Sequence, residues 1–330
     1  MASRSLHGKI FEYRTSRARA GVLASFMADS LALGAHWVYD SSEIVTKLGR
    51  VDRLLKPTLT AYHLTKEAGD LTHLGDLTLI LLRYLVLHKS FNTQTFSEDF
   101  LQWGETYTGY HDHAFKESMK NLKEGKVPGS ESNELAGASR IAPLMYMYRD
   151  DLDTMVTTCR EQAQLTHGGP LPALSAELFA RAAYDIMQSN TPPSEALKKA
   201  ADVIGDALLS SKVQQGLTGV SPSSNDEEFV VSLGGFKTVG GKEIAFGKSC
   251  GSDYALPATV YFVAKYESRG PAGLMEALIS NVGVGGDSAA RGLAIGLLLG
   301  VYFGMQAIPV ELFSGLRERK TIETFIDELP

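Results

Sequence analysis

Two short acidic turns carry the residue types best suited to chemistry. Gly69-Asp70-Leu71-Thr72-His73-Leu74-Gly75-Asp76 precedes one apolar run and Gly285-Gly286-Asp287-Ser288 precedes another. Each puts a carboxylate at a helix start, with Asp76 and Asp287 at the expected N-caps. There an oxygen accepts a free backbone N–H and gains about 1 kcal/mol. Capping alone would explain either turn taken singly. Asp29 argues for more, because it interrupts an apolar helix shortly before His36-Trp37, where a core has no use for a charge. His36, His73 and His167 lie in turn-like or helix-end segments. Each alone reads as a satisfied core or cap histidine.

The elements that must position these groups are helical. Val22, Leu23, Phe26, Met27 and Leu31 recur at helical spacing within 17–35, and LTLILLRYLVLHK after Asp76 is too long and too apolar for an ordinary strand. Residues 96–119 read as one further helix, ended by the loop signal EGKVPGSESN. Helices are expected over 151–167, 172–188, 194–210, 255–266, 273–281 and 288–306. FVVSL and KEIAF flank glycine pairs, which suggests a short β-hairpin. Gly292, Gly296, Gly300 and Gly304 repeat every fourth residue, a bare stripe that lets another helix approach closely despite a propensity cost of about 1 kcal/mol each. The expected fold is all-α: a single orthogonal multi-helix bundle over 1–330 with a β-hairpin insertion, residues 1–16 forming a flexible arm.

Composition limits the function. Apolar residues are 44% of 330, enough for a sizeable core, and the net charge of −6 with scattered Lys and Arg offers no basic stripe for nucleic acid. Cys159 and Cys250 stand far apart, outside any metal-finger spacing, which fits a reducing compartment. A cytoplasmic location is expected, with organellar targeting left open by the Arg- and Ser-rich start. Residues 292–310 hold no charge, but four glycines and Pro309 make them a buried core helix and not a membrane span.

Taken together, the blocks GVLASFMADSLALGAHWVYD, GDLTHLGDLTLILL, ELAGASRIAPL, THGGPLPALSAELFA, FGKSCGSDYALPATVYF and NVGVGGDSAARGLAIGLLLGVYFG resemble the ADP-ribosylglycohydrolases, and within them the divergent branch that includes the J1 crystallins. The resemblance spans most of the chain. It implies a helical bundle whose loops hold two Mg2+ beside an ADP-ribose pocket, and a hydrolase acting on ribosyl glycosidic bonds of a small-molecule or ADP-ribosylated substrate. Hard divalent ions want oxygen ligands and stabilise an oxocarbenium-like transition state.

This sequence departs from the family pattern at the ligands. Thr-Asp-Asp becomes Leu74-Gly75-Asp76, and Asp-x-Asp becomes Asp287-Ser288-Ala289. The family's Gly-Asn-Gly turn becomes Glu134-Leu135-Ala136. Asp29, Asp76 and Asp287 survive from the acidic set. In a catalytic reading Asp76, Asp287, Ser288 and His73 hold one ion, and Asp70 or Asp76 positions the water. With His36, the imidazole and carboxylate set suits Zn2+, Mn2+ or Fe2+ better than paired Mg2+. Alternatively the histidines bond the aspartates and no ion binds. In a non-catalytic reading the chain binds a nucleotide-like ligand through Ser132, Asn133, Gly137 and the Ser249–Asp253 turn, with Asp29, His36 and His167 nearby. A third reading is a crystallin-like structural protein. The catalytic reading needs Asp76 and Asp287 to face one solvent-filled hollow. The sequence leaves the oligomeric state undetermined.

Overall fold

The computed structural model describes residues 2–221, 223–239 and 241–330, with side chains from Glu12 onward except Lys242. Its centre is a pair of helices, Ala2–Ala32 and Ser288–Phe303, packed along one another. Close approach follows from the glycine stripe. A Cβ at Gly296 would stand 2.5 Å from the Ala24 carbonyl oxygen, and one at Gly300 would stand 2.7 Å from the Ala24 Cβ. Gly304 does not belong to the stripe. It ends the helix at φ +75°, a left-handed conformation that side chains resist. The N-terminal helix begins at Ala2, so the segment read as an arm continues the helical backbone.

Around this pair run His73–His88, Leu152–Thr166, Pro172–Ser189, Ser252–Tyr266 and Ala272–Val284, whose inward faces join one continuous apolar core. No helix among the described residues is long and apolar enough to cross a membrane. The Ser288–Phe303 helix, charged at Arg291 and apolar beyond it, is buried in the bundle centre.

Three expected elements come out differently, each for a local reason. The expected helix over 96–119 is two, Thr93–Thr106 and His113–Lys123, because the Asp112 carboxylate caps the second from its own turn. That over 194–210 is also two, Pro193–Ile204 and Ala207–Thr218, broken where Gly205 takes φ +71° and Asp206 restarts a helix. FVVSL is not a strand. Asn225 caps Glu227 and Glu228, and three acids in the first turn favour the helix Asp226–Ser232. The hairpin lies further on, with Phe236–Val239 pairing antiparallel to Lys242–Ala245 in the register Phe236 to Ala245.

Candidate functional site: a buried imidazole and carboxylate cluster

Asp29 explains how the first acidic turn is built. Its Oδ2 accepts the Thr72 N–H at 2.7 Å and its Oδ1 accepts the Thr72 hydroxyl at 2.5 Å. So fixed, Thr72 caps the helix His73–His88, its hydroxyl oxygen accepting from Leu74 at 3.1 Å. The expected cap, Asp76, therefore sits one turn inside the helix and its carboxylate is free for other partners. Burial pushes the Asp29 carboxyl up to about 6, against the opposing Thr72 hydrogen bonds.

Asp76 meets a cation supplied by the chain itself. Its Oδ2 lies 2.6 Å from the Lys66 ammonium and accepts the Tyr107 hydroxyl at 2.5 Å. Burial still raises its carboxyl above the ordinary range, with Lys66 and Tyr107 pulling the other way.

His73, three residues before Asp76, stands in a hydrogen-bonded row. One side of its ring, Nε2, lies 3.0 Å from Asp112 Oδ2, and the other, Nδ1, lies 3.1 Å from His63 Nε2. Burial alone would raise Asp112, but the bond and charge of His73, with the Phe115 N–H, hold it well below the usual carboxylate range. An ionised Asp112 accepts the His73 Nε2–H, and the donor between His73 Nδ1 and His63 Nε2 is set by the tautomers of the two rings. Burial lowers His63 to about 3.

Asp287 caps the second helix as expected, accepting the Ala290 N–H at 3.4 Å. Its Oδ1 is 3.7 Å from His36 Nδ1, which itself accepts the Ala289 N–H at 3.3 Å. Burial raises the Asp287 carboxyl, and the nearby Arg291 opposes that rise. Burial also holds His36 well below the usual imidazole value. The Arg291 guanidinium is completely buried and gives its N–H groups to Asn281 Oδ1 at 2.8 Å and to the Gly285 carbonyl at 2.6 Å.

The two helix starts therefore converge on one cluster. The rings of His36, His63 and His73 lie 5.3–6.0 Å apart, and Trp37 stacks on His36 at 4.4 Å. Tyr110 meets His63 and His73, and Tyr62 meets Trp37 edge-on at 4.8 Å. The rings pack against one another beside the two helix starts.

The remaining candidates spread outward. Asp70 is not brought into the cluster: it accepts the Glu67 N–H at 2.7 Å and faces Arg317 at 3.2 Å. Asn133 binds loops together, its Nδ2 donating to Asp253 at 3.0 Å and its Oδ1 accepting the Leu171 N–H at 3.0 Å. The Ser132 hydroxyl accepts the Glu134 N–H at 3.3 Å. Gly137 lies so close to His167 that a Cβ there would stand 2.8 Å from its Cγ. His167 Nε2 and the hydroxyls of Ser249, Ser252 and Ser288 are buried without a protein partner. Glu134 accepts the Cys250 thiol at 3.1 Å, and burial raises its carboxyl.

This donor set does not fit two Mg2+. Lys66 already pairs with Asp76, and both His73 nitrogens lie within hydrogen-bond distance of protein partners. Among the described residues no three His, Cys, Asp or Glu side chains are arranged to share an ion. Sequence reasoning missed Lys66, His63, Tyr107 and Asp112. The first two sit in an aperiodic stretch, and the others were absorbed into a helix that the structure breaks.

A cleft of about 710 Å³ opens on the other side of Trp37, lined by Tyr39, Glu227, Phe236, Ile244 and Lys248. Its size suits a drug-sized or nucleotide-sized ligand, for which pockets run roughly 300–1,000 Å³.

The all-α bundle thus places an acid and imidazole cluster at the N-termini of two core helices. The ADP-ribosylglycohydrolase profile matches residues 12–330, and the chain belongs to that family. It is 20% identical over 333 residues to Crystallin J1A of Tripedalia cystophora, covering 95% of this chain and 96% of that one. A solved structure, an ADP-ribosylglycohydrolase-related protein complex, superposes with a TM-score of 0.70 at 19% identity, covering 96% of this chain and 98% of that one. At that identity the likeness establishes the fold.

Proposed function

We propose that this member of the family binds an ADP-ribosyl-type nucleotide in the cleft beside Trp37 and does not cleave it by two-metal chemistry. One observation carries the reading: the Asp76 carboxylate is paired with Lys66 at 2.6 Å and with Tyr107. A two-ion mechanism needs that carboxylate for a cation that dehydrates reluctantly. Family membership supports a ribosyl-nucleotide ligand, and Trp37, Tyr39 and Phe236 give the cleft aromatic faces on which a base can stack. The Ser249 hydroxyl, next in sequence to the cleft-lining Lys248, is buried without a partner among the described residues.

Calorimetric titration with ADP-ribose, in EDTA and in Mg2+, tests the proposal alongside incubation with an ADP-ribosylated protein. The expected result is micromolar binding that is the same in both buffers, with no release of ADP-ribose. Divalent-dependent release would overturn it in favour of the hydrolase. Absence of binding in either buffer would leave the structural role that the name of the crystallin relative suggests.

A further inference from the structure

One turn fills two positions at once. The Lys66 N–H closes back on the His63 carbonyl at 2.9 Å, and this turn delivers His63 to His73 and Lys66 to Asp76. The Lys66 and Asp76 side chains are each only 16% exposed, so the pair is held largely out of water. Tyr107 adds its hydroxyl to the same carboxylate oxygen. From this geometry we infer that Lys66 is the resident cation of the site, an ammonium on the chain that does the electrostatic work of a divalent ion.

The physical reason is competition for one carboxylate. A divalent ion must shed water to reach Asp76 and must also displace an ammonium already bonded to it, which then has to be resolvated. An ammonium held by a turn of the same chain meets Asp76 intramolecularly, at an effective concentration of about millimolar or more. Removing Lys66 would leave a part-buried carboxylate without its cation, the situation in which a bound ion gives the largest benefit. The role is separate from nucleotide binding in the cleft at Trp37, and it rests on the reading that two-metal chemistry is lost.

Thermal unfolding with millimolar Mg2+ or Mn2+, and with EDTA, tests the inference without any nucleotide, so its failure is separable from failure to bind ADP-ribose. The unaltered chain should show the same Tm in all three. Lys66→Met should melt lower in EDTA and recover about 2–4 °C in Mn2+. Lys66→Arg should behave like the unaltered chain, and Lys66→Met combined with Asp76→Asn should lose the Mn2+ response. An unaltered chain that is stabilised by either ion and returns to baseline in EDTA overturns the inference, and that arm needs no variant. So does a folded Lys66→Met protein indifferent to both ions.

Discussion

The Asp29 carboxylate occupies the space that a side chain at Gly75 would need. A Cβ built on Gly75 would stand 2.7 Å from Asp29 Cγ and closer still to its Oδ2. On a helix in open solvent Gly→Ala gains about 1 kcal/mol. Gly75→Ala should instead lose about 1–3 kcal/mol by overpacking, read from urea denaturation. A gain in stability would show that Asp29 can move aside.

Asp29 should also leave a mark on the pH dependence of folding. Its carboxyl lies at about 6 in the folded chain against an ordinary 3.8. The folded chain therefore keeps a proton that the unfolded chain has released, and the group costs stability as pH rises from about 4 to about 6. The whole displacement corresponds to about 3 kcal/mol. Asp29→Asn should remove this slope, so that the stability difference between the two proteins changes by that order across the window. Parallel stability curves from pH 4 to 7 would contradict the burial argument.

Asp112 has two partners and should be sensitive to truncation. It caps the Phe115 N–H at 2.6 Å and accepts from His73 at 3.0 Å. Asp112→Ala should cost about 2–4 kcal/mol, a cap plus a charged hydrogen bond. Its carboxyl is held low, so this contribution is present above the ordinary value of 3.8 and fades as pH falls below it. Chemical denaturation at neutral and acidic pH checks both parts. Equal losses at the two would remove the His73 interaction from the account.

Asp287→Ala should lose about 0.5–2 kcal/mol for the missing cap. Under the proposed function it should leave ADP-ribose binding indifferent to Mg2+, as before. A variant in which binding becomes Mg2+-sensitive would point to a metal role for the original carboxylate.

Trp37→Ala should weaken ADP-ribose binding at least tenfold, about 1.4 kcal/mol, since the indole forms a wall of the cleft. Calorimetry reads the affinity, and circular dichroism confirms that the bundle persists. Unchanged affinity would move the ligand elsewhere.

Much of the fold was legible in the sequence because burial patterns are local. The apolar helices around Phe26, Leu81 and Leu298, the cap at Asp287 and the close approach at Gly296 and Gly300 all follow from periodicity and residue size. The expectation that Asp76 and Asp287 converge came from the resemblance to the family, not from periodicity. What surrounds them depended on tertiary structure. Lys66 and His63 come from a turn with no periodic signal, and Asp112 and Tyr107 from a helix break that brings them to partners distant in sequence. A charge in a sequence carries no record of its counter-charge. The pairing of Asp76 with an ammonium of the same chain is decided when the fold removes both from water and each becomes the other's best available partner.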